Sequence, residues 1–419
     1  MGHIVKTTAG SWRANWRDPS GRQRAKTFPT KRDASRFLAE VETTMSRGLY
    51  IDPRAGHVKL ADYASTWTAG RVSATTTTVR TDSVLRTHVL PRWGDVPLGK
   101  IDHSSVQRWV TELHGTRSPA TVRKCFHVLA GIMRLAVRDR LLAFNPCEGV
   151  QLPAIRRSDT DERTIGREAF VSQLLPAIPD RHRALVALAG GTGLRWGECA
   201  GLRWDAVDLD ADEVHVVRVA VEVAGTVTTK PFPKSRAGRR VVPLPPFVIA
   251  ALREHRRVYG EGSVGEVFTN QAGGPVRRTL FRNRVWRPAL VRAGLLGKVV
   301  EEGERLYRGT WHDDTGRERS HTFTTEAAAV MEVSRRASGG LRFHDLRHSY
   351  ATWLVSDGVP VNDVQRIMGH EQATTTLNLY THDSGAAGSR VRGLFADFPL
   401  TQGDIDDHGE AEEPSEEGS

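Results

Sequence analysis

The chain is poor in the residues that would place it in an oxidising compartment or a membrane. Its 419 residues include three cysteines, Cys125, Cys147 and Cys199. Their odd number and wide spacing fit neither a disulfide framework nor a cysteine-ligated zinc site. No apolar run approaches the roughly 20 residues needed to cross a bilayer, and the N-terminal MGHIVKTTAGSW lacks the apolar core of a secretory signal. A cytoplasmic protein without a membrane partner is expected. Acidic residues are also sparse, except at one end. There are 59 Lys and Arg against 49 Asp and Glu, and eight of those acids fall in the last 18 residues, which hold no Lys or Arg. A basic body with an acidic tail, expected to be disordered over 401–419, points to a polyanionic partner, most often nucleic acid.

Residues 1–56 read as one small unit. Two segments with Trp and Phe, in SWRANWRDPSGRQRAKTF, flank the turn sequence Asp18-Pro19-Ser20-Gly21. The helical stretch KRDASRFLAEVETTMSRG follows, so a hairpin plus helix is read here, expected to complete a small three-stranded sheet-plus-helix unit. From 57 to 152 the pattern is helical. Val106, Trp109, Val110 and Leu113 form one apolar stripe, and Val122, Phe126, Leu129, Met133 and Val137 form another. Ser118 is the expected cap of the second stripe's helix, whose other faces carry Arg123, Lys124, Arg134 and Arg138. Residues 153–164 read as a linker. A third region, 165–400, is mainly helical with a small antiparallel sheet. There Val217, Val219, Val221 and Val223 alternate as one half-buried strand, and Lys234 to Gly238 form a loop between strands.

A repeat is hidden in this third region. Residues 307–329 restate residues 12–34 at a constant offset of 295: Trp16, Asp18, Gly21, Arg22, Arg24, Phe28 and Thr30 recur as Trp311, Asp313, Gly316, Arg317, Arg319, Phe323 and Thr325. Agreement of such residues without a gap indicates a duplicated sheet-plus-helix unit over 298–339.

Four passages hold reactive side chains: GTGLRWGE with Arg195 and Glu198, PFPKSRAGRR with Lys234, FHDLRH with His344, Asp345 and Arg347, and MGHEQATTTLNLYTH with His370 and Tyr380. In this order and spacing they resemble the tyrosine recombinases, the phage integrase family. The resemblance implies a multidomain chain: an arm-type DNA-binding unit at 1–56, an all-α core-binding domain at 57–152, and a catalytic domain at 165–400. It implies a site-specific recombinase that cuts and rejoins DNA through a 3′-phosphotyrosine, integrating and excising a phage or mobile element. Tyr380 is then the nucleophile, Arg195, Arg347 and His370 bind the phosphate, His344 has an acid/base role, and Lys234 is the proton donor for the leaving oxygen. Glu198 and Asp345 support them. Neither cofactor nor metal is implied. Implied partners are double-stranded DNA at core-type and arm-type sites, further copies in a homotetramer, and excision or DNA-bending proteins. Arg13, Arg22, Arg24, Lys26, Arg123 and Lys124 are the expected DNA-binding residues, and the source is a bacterial or phage gene acting at the nucleoid.

Three alternatives stay open from the residues. HDLRH also resembles the zinc motif HExxH, with Asp345 in place of Glu and His370 or His382 as a third ligand. The chain could instead be a DNA-binding regulator with the recombinase fold, or an enzyme that only relaxes supercoils. One departure from the family pattern stands out: about 45 residues, containing the repeat, separate VRAGL from LRFHDLRH, where a few are usual. A loop insertion of that kind is expected to be dispensable for cleaving a core site.

Overall fold

The computed structural model describes residues 2–19, 21–48, 50–52, 54–155, 163–230 and 238–369. Lys234, His370, His382, Tyr380, the apolar segment near 391–398 and the acidic tail lie outside them. The chain divides into two compact units, Met1–Ser158 and Asp159–Ser419.

The first unit begins with an antiparallel sheet in the order β1 (His3–Lys6), β2 (Trp12–Arg17), β3 (Gln23–Phe28). The β2–β3 turn is closed by Asp18, whose carboxylate accepts from the Arg22 amide at 2.9 Å and from Arg24 Nε at 3.0 Å. Gly21 supplies the left-handed backbone the turn needs, at φ +81°. Helix α1 (Lys31–Ser46) is capped by Thr30, which accepts from the Asp33 amide. It buries Ala34, Leu38 and Val41 beside Trp16. Trp16 Nε1 donates to Tyr50 Oη at 2.9 Å.

The rest of this unit is helical: α2 (Leu60–Ala69), α3 (Thr75–Val84), α4 (Leu90–Trp93), α5 (His103–His114) and α6 (Pro119–Arg138). Ser118 caps α6 with Pro119 in its first turn, and Asp102 caps α5. Their stripes meet around Trp93, Trp109, Phe126, Leu129 and Met133, while Arg108, Lys124, Arg134 and Arg138 stay exposed.

In the second unit, α7 (Arg167–Ala169) and α8 (Leu175–Ala177) lead into α9 (Asp180–Thr192), which is buried from Ala184 to its end. It is followed by α10 (Trp196–Ala200) and a three-stranded sheet in the order β4 (Val207–Asp208), β5 (Glu213–Val216), β8 (Arg240–Pro243). The expected half-buried strand is β6 (Val219–Val223), which holds three of the four alternating valines; Val217 falls just before it, and β6 pairs with β7 (Thr226–Lys230) in a hairpin separate from the three-stranded sheet. The hairpin backbone leans on α10, where a Cβ at Gly197 would come 2.6 Å from the Ala220 carbonyl oxygen. Beyond β8 come α11 (Pro246–Tyr259), α12 (Arg278–Phe281) and α13 (Arg287–Arg292).

The repeat then appears as β9 (Lys298–Gly303), β10 (Leu306–His312), β11 (Glu318–Phe323) and α14 (Glu326–Arg336). Its register reproduces the N-terminal sheet at the same offset. Trp12 faces Phe28 and Arg17 faces Gln23; Tyr307 faces Phe323 and His312 faces Glu318. The correspondence extends to the first strand, where His3 faces Asn15 and Lys298 faces Thr310. Yet this unit is no bead on a loop. Trp311, Val330, Val333 and Ala337 belong to the same core cluster as Leu185, Val242 and Trp286. This shared core weighs against the expected dispensability of the insertion, since its removal would expose side chains whose burial is worth about 2 kcal/mol each. The unit closes with α15 (Asp345–Ser356) and α16 (Val361–Met368).

Candidate active site

The motif GTGLRWGE lies across the end of α9. Gly193 terminates that helix in the left-handed conformation, φ +63°, and a Cβ there would come 2.6 Å from Tyr350 and 3.0 Å from Met368. Only glycine suits this position. Two residues later Arg195 enters α10, where its backbone amide and Nη1 both donate to Glu198, at 2.8 and 3.0 Å. The Arg195 side chain keeps 40% of its area exposed.

Glu198 is 3% exposed and holds two arginines. Arg240, on β8, donates to both carboxylate oxygens at 3.1 and 2.9 Å. Burial alone would raise the Glu198 pKa; the Arg240 hydrogen bonds and charge, with Arg195, overcome it and bring the value down to about 2. Sequence reasoning missed Arg240. Its signal was parity: Arg240 shares a strand face with the buried Val242, so its charge had to turn inward and needed a carboxylate.

FHDLRH opens α15. Asp345 is fully buried and accepts from the Arg342 amide and guanidinium at 2.7 and 2.8 Å, so it fixes the entry to the helix. Arg347, 3% exposed, donates to the Gly193 carbonyl at 2.8 Å and to that of Met368. Arg195 Nη2 reaches the next carbonyl, Gly369, at 3.4 Å, and Arg240 Nε the previous one, Ile367, at 2.6 Å. Three guanidinium groups thus converge on three successive carbonyls at the C-terminus of α16, where the helix dipole is negative. The next residue is His370.

His344 caps this arrangement. It is exposed by area, yet the protein packed about it, then the charges of His348, Arg347 and Arg195, lower its pKa to about 4 despite Asp345. The ring is therefore neutral at pH 7, and less basic than an ordinary histidine. The zinc alternative fares poorly: Asp345, its required base, is committed to Arg342.

The expected DNA-binding residues are more dispersed. Arg13 and Arg22 are exposed, and so is Lys124. Arg24 is held between Asp18 and Asp52, Lys26 lies over the rings of Phe28 and Phe37, and Arg123 donates to the Pro153 carbonyl. Sequence reasoning overlooked exposed basic residues around α12: Arg277 and Arg278 at its start, and Arg282 and Arg284 just beyond its end.

Residues 167–386 match the phage integrase family and residues 1–47 match the phage integrase N-terminal domain. The chain belongs to the phage integrase family and is a tyrosine-type site-specific recombinase. It is 27% identical to the prophage phiRv2 integrase of Mycobacterium tuberculosis over 96% of both chains. It is also 27% identical to a XerC-like tyrosine recombinase of Caldanaerobacter subterraneus over 87% of this chain and 90% of that one. Its fold is similar to a Tn1549 transposon integrase fragment solved with circular intermediate DNA, with TM-score 0.58, 19% identity, and coverage of 80% and 99%. It is also similar to lambda integrase bound as a dimer to a core site, with TM-score 0.51, 15% identity, and coverage of 90% and 93%.

Proposed function

We propose that the chain integrates and excises a phage or other mobile element by cutting duplex DNA through a 3′-phosphotyrosine at Tyr380. The convergence of Arg195, Arg240 and Arg347 on the carbonyls of residues 367–369 carries this reading, because it gathers three guanidinium groups, two of them sharing the Glu198 carboxylate, immediately before His370. A scissile phosphate gains negative charge as it becomes pentacoordinate, and prepositioned guanidinium forks stabilise that charge. Arg195 is the most accessible fork.

In the reaction the Tyr380 oxygen attacks phosphorus while the bond to the 5′-oxygen breaks. The phenol proton has a neutral acceptor in His344, and the departing oxygen takes a proton from Lys234. Complete ionisation of a phenol of pKa about 10 at pH 7 would cost roughly 4 kcal/mol, so attack and proton removal are expected to be concerted. A 5′-hydroxyl from a partner strand reverses the step, and no external energy source is required. Core-type and arm-type duplexes, a homotetramer and accessory proteins, in a bacterial cytoplasm, complete the proposal.

The test is a nicked DNA substrate that releases a short fragment on cleavage and traps the covalent state. Wild-type protein should yield a denaturation-resistant adduct unaffected by EDTA, and Tyr380→Phe should bind the same DNA and yield none. An adduct persisting in Tyr380→Phe overturns the assignment; abolition by EDTA favours the metal alternative.

A further inference from the structure

The duplicated unit keeps the fold of its N-terminal counterpart but not its charge. Residues 3–46 hold nine Lys and Arg against four Asp and Glu; residues 298–341 hold seven against eight. Lys26, Lys31 and Arg32 are replaced by His321, Glu326 and Ala327. Arg308, the counterpart of Arg13, is paired with Glu302 at 2.6 Å. Phosphate attraction has been removed from the copy.

What the copy gains is a second buried face. Ser35 and Ala39 are exposed on α1, whereas their counterparts on α14, Val330 and Ser334, are 1% and 2% exposed against the catalytic body. At the end of α14 the body grips the chain carbonyl by carbonyl. Arg287, 8% exposed, donates to the carbonyls of Ser334, Ala337 and Gly339 at 2.5, 2.5 and 3.0 Å. Arg163 donates to the Gly340 carbonyl at 2.9 Å and Trp286 Nε1 to that of Leu341 at 2.7 Å. Arg342 then binds Asp345, and the chain has arrived at His344 and Arg347. A buried arginine is an expensive way to hold a connection unless its position matters, and this one sits against the negative end of α14.

We propose that the inserted repeat has become an intramolecular buttress rather than a second DNA-reading unit, with Arg287 as the positioning residue that fixes the strand leading into His344 and Arg347. The inference rests on the active-site reading above. Among the described residues, Arg287 bonds to the carbonyls of that connection, and the repeat packs on the catalytic body. They act by setting where α15 begins, and a displacement of about 1 Å at such a site can cost on the order of 100-fold in rate.

Two sets of full-length variants test it on the nicked substrate. Arg287→Lys keeps the charge but loses the three-carbonyl grip, and Trp286→Phe removes one hydrogen bond from the same segment while keeping a smaller aromatic ring in place. Both should slow single-turnover adduct formation at saturating protein, about 10-fold or more for Arg287→Lys and several-fold for Trp286→Phe. Equilibrium affinity for the DNA should stay within about twofold. The pH dependence of cleavage should also shift, because His344 would move relative to His348, Arg195, Arg347 and Asp345. In contrast, Lys298→Glu with Arg308→Glu, on the repeat's sheet, should change neither affinity nor its salt dependence. Wild-type rates in both strand variants overturn the buttress, as does a tenfold loss of DNA affinity in the charge-reversed pair. Should Arg287→Lys fail to fold, Trp286→Phe and the charge-reversed pair still decide. The controls separate the two readings: absence of a wild-type adduct sinks the proposed function, whereas an adduct formed at equal rates by wild type and strand variants sinks only the buttress.

Discussion

Replacing Glu198 with glutamine removes the one carboxylate that Arg195 and Arg240 share. The fall of the Glu198 pKa from its ordinary 4.5 to about 2 corresponds to about 3 kcal/mol of preference for the charged form in the folded protein. Glutamine forfeits that and leaves Arg240, 4% exposed, with neutral acceptors among the described residues, the carbonyls of Gly238 and Ile367 and the new amide oxygen. Breaking one side of a buried pair typically costs about 3–5 kcal/mol. For a unit of this size that lowers the thermal midpoint by about 10 °C. The sign with pH follows from the depressed value. The stabilisation is complete above about pH 4.5 and is lost as pH falls through about 2, so the gap between wild type and variant should narrow on acidification. Melting curves of the full-length proteins, followed by circular dichroism from pH 7.5 downward, measure both effects. Adding Arg240→Met to Glu198→Gln should recover much of the midpoint, since a neutral pair no longer strands a charge. A variant melting within a degree or two of wild type at pH 7.5, or a gap indifferent to pH, would refute the account of how the site is held.

Gly193→Ala should destabilise the catalytic unit by about 1–2 kcal/mol from backbone strain alone. It should also slow cleavage in the adduct assay, because the Gly193 carbonyl that holds Arg347 must move away from Tyr350. Arg347→Lys, which keeps the charge but cannot reach the Gly193 and Met368 carbonyls together, should lower the single-turnover rate about 100-fold with little change in DNA affinity. His344 and His182, each lowered to about 4 with burial as the leading cause, stay neutral in the fold while the unfolded chain takes up protons below about pH 6.5. Stability should therefore already decline between pH 6.5 and 4, above the Glu198 range, and His182→Gln should flatten that limb in an acid titration.

The parts of the molecule that local chemistry determines were legible in the residues. The turn at Asp18 and Gly21 recurs at Asp313 and Gly316 with the same hydrogen bonds: Arg319 Nε lies 2.9 Å from Asp313, as Arg24 Nε lies 3.0 Å from Asp18. Five residues on one turn suffice to specify it, so the repeat could be recognised without a structure. The cap at Ser118 and the stripe of α6 were equally local. The valine passage showed an extended segment, which is β6, but alternation does not report which sheet a strand joins; the parity of the valines changes between Val216 of β5 and Val219 of β6. Arg287 was illegible for another reason, and Arg240 was legible only through its strand parity with Val242. Arginine ordinarily faces water, and only the partners that other segments bring, Glu198 in one case and three carbonyls in the other, reveal a buried one.

The same distinction explains how one short sequence pattern came to serve two ends in one chain. The hairpin needs only its turn, its tryptophan and its helix cap, and these were retained in the copy: Trp311 is 8% exposed where Trp16 is 5%, and Thr325 caps α14 as Thr30 caps α1. Positions outside that set are free to change without unmaking the unit. In the copy they changed in two directions at once, losing positive charge on the sheet and gaining apolar surface on the helix. Either change alone would leave a less basic sheet or an exposed greasy helix. Together they convert a basic surface into one that packs against its own chain. The helix also stops five residues short of its counterpart, at Arg336 rather than at the equivalent of Ser46, which frees the carbonyls that Arg287 holds.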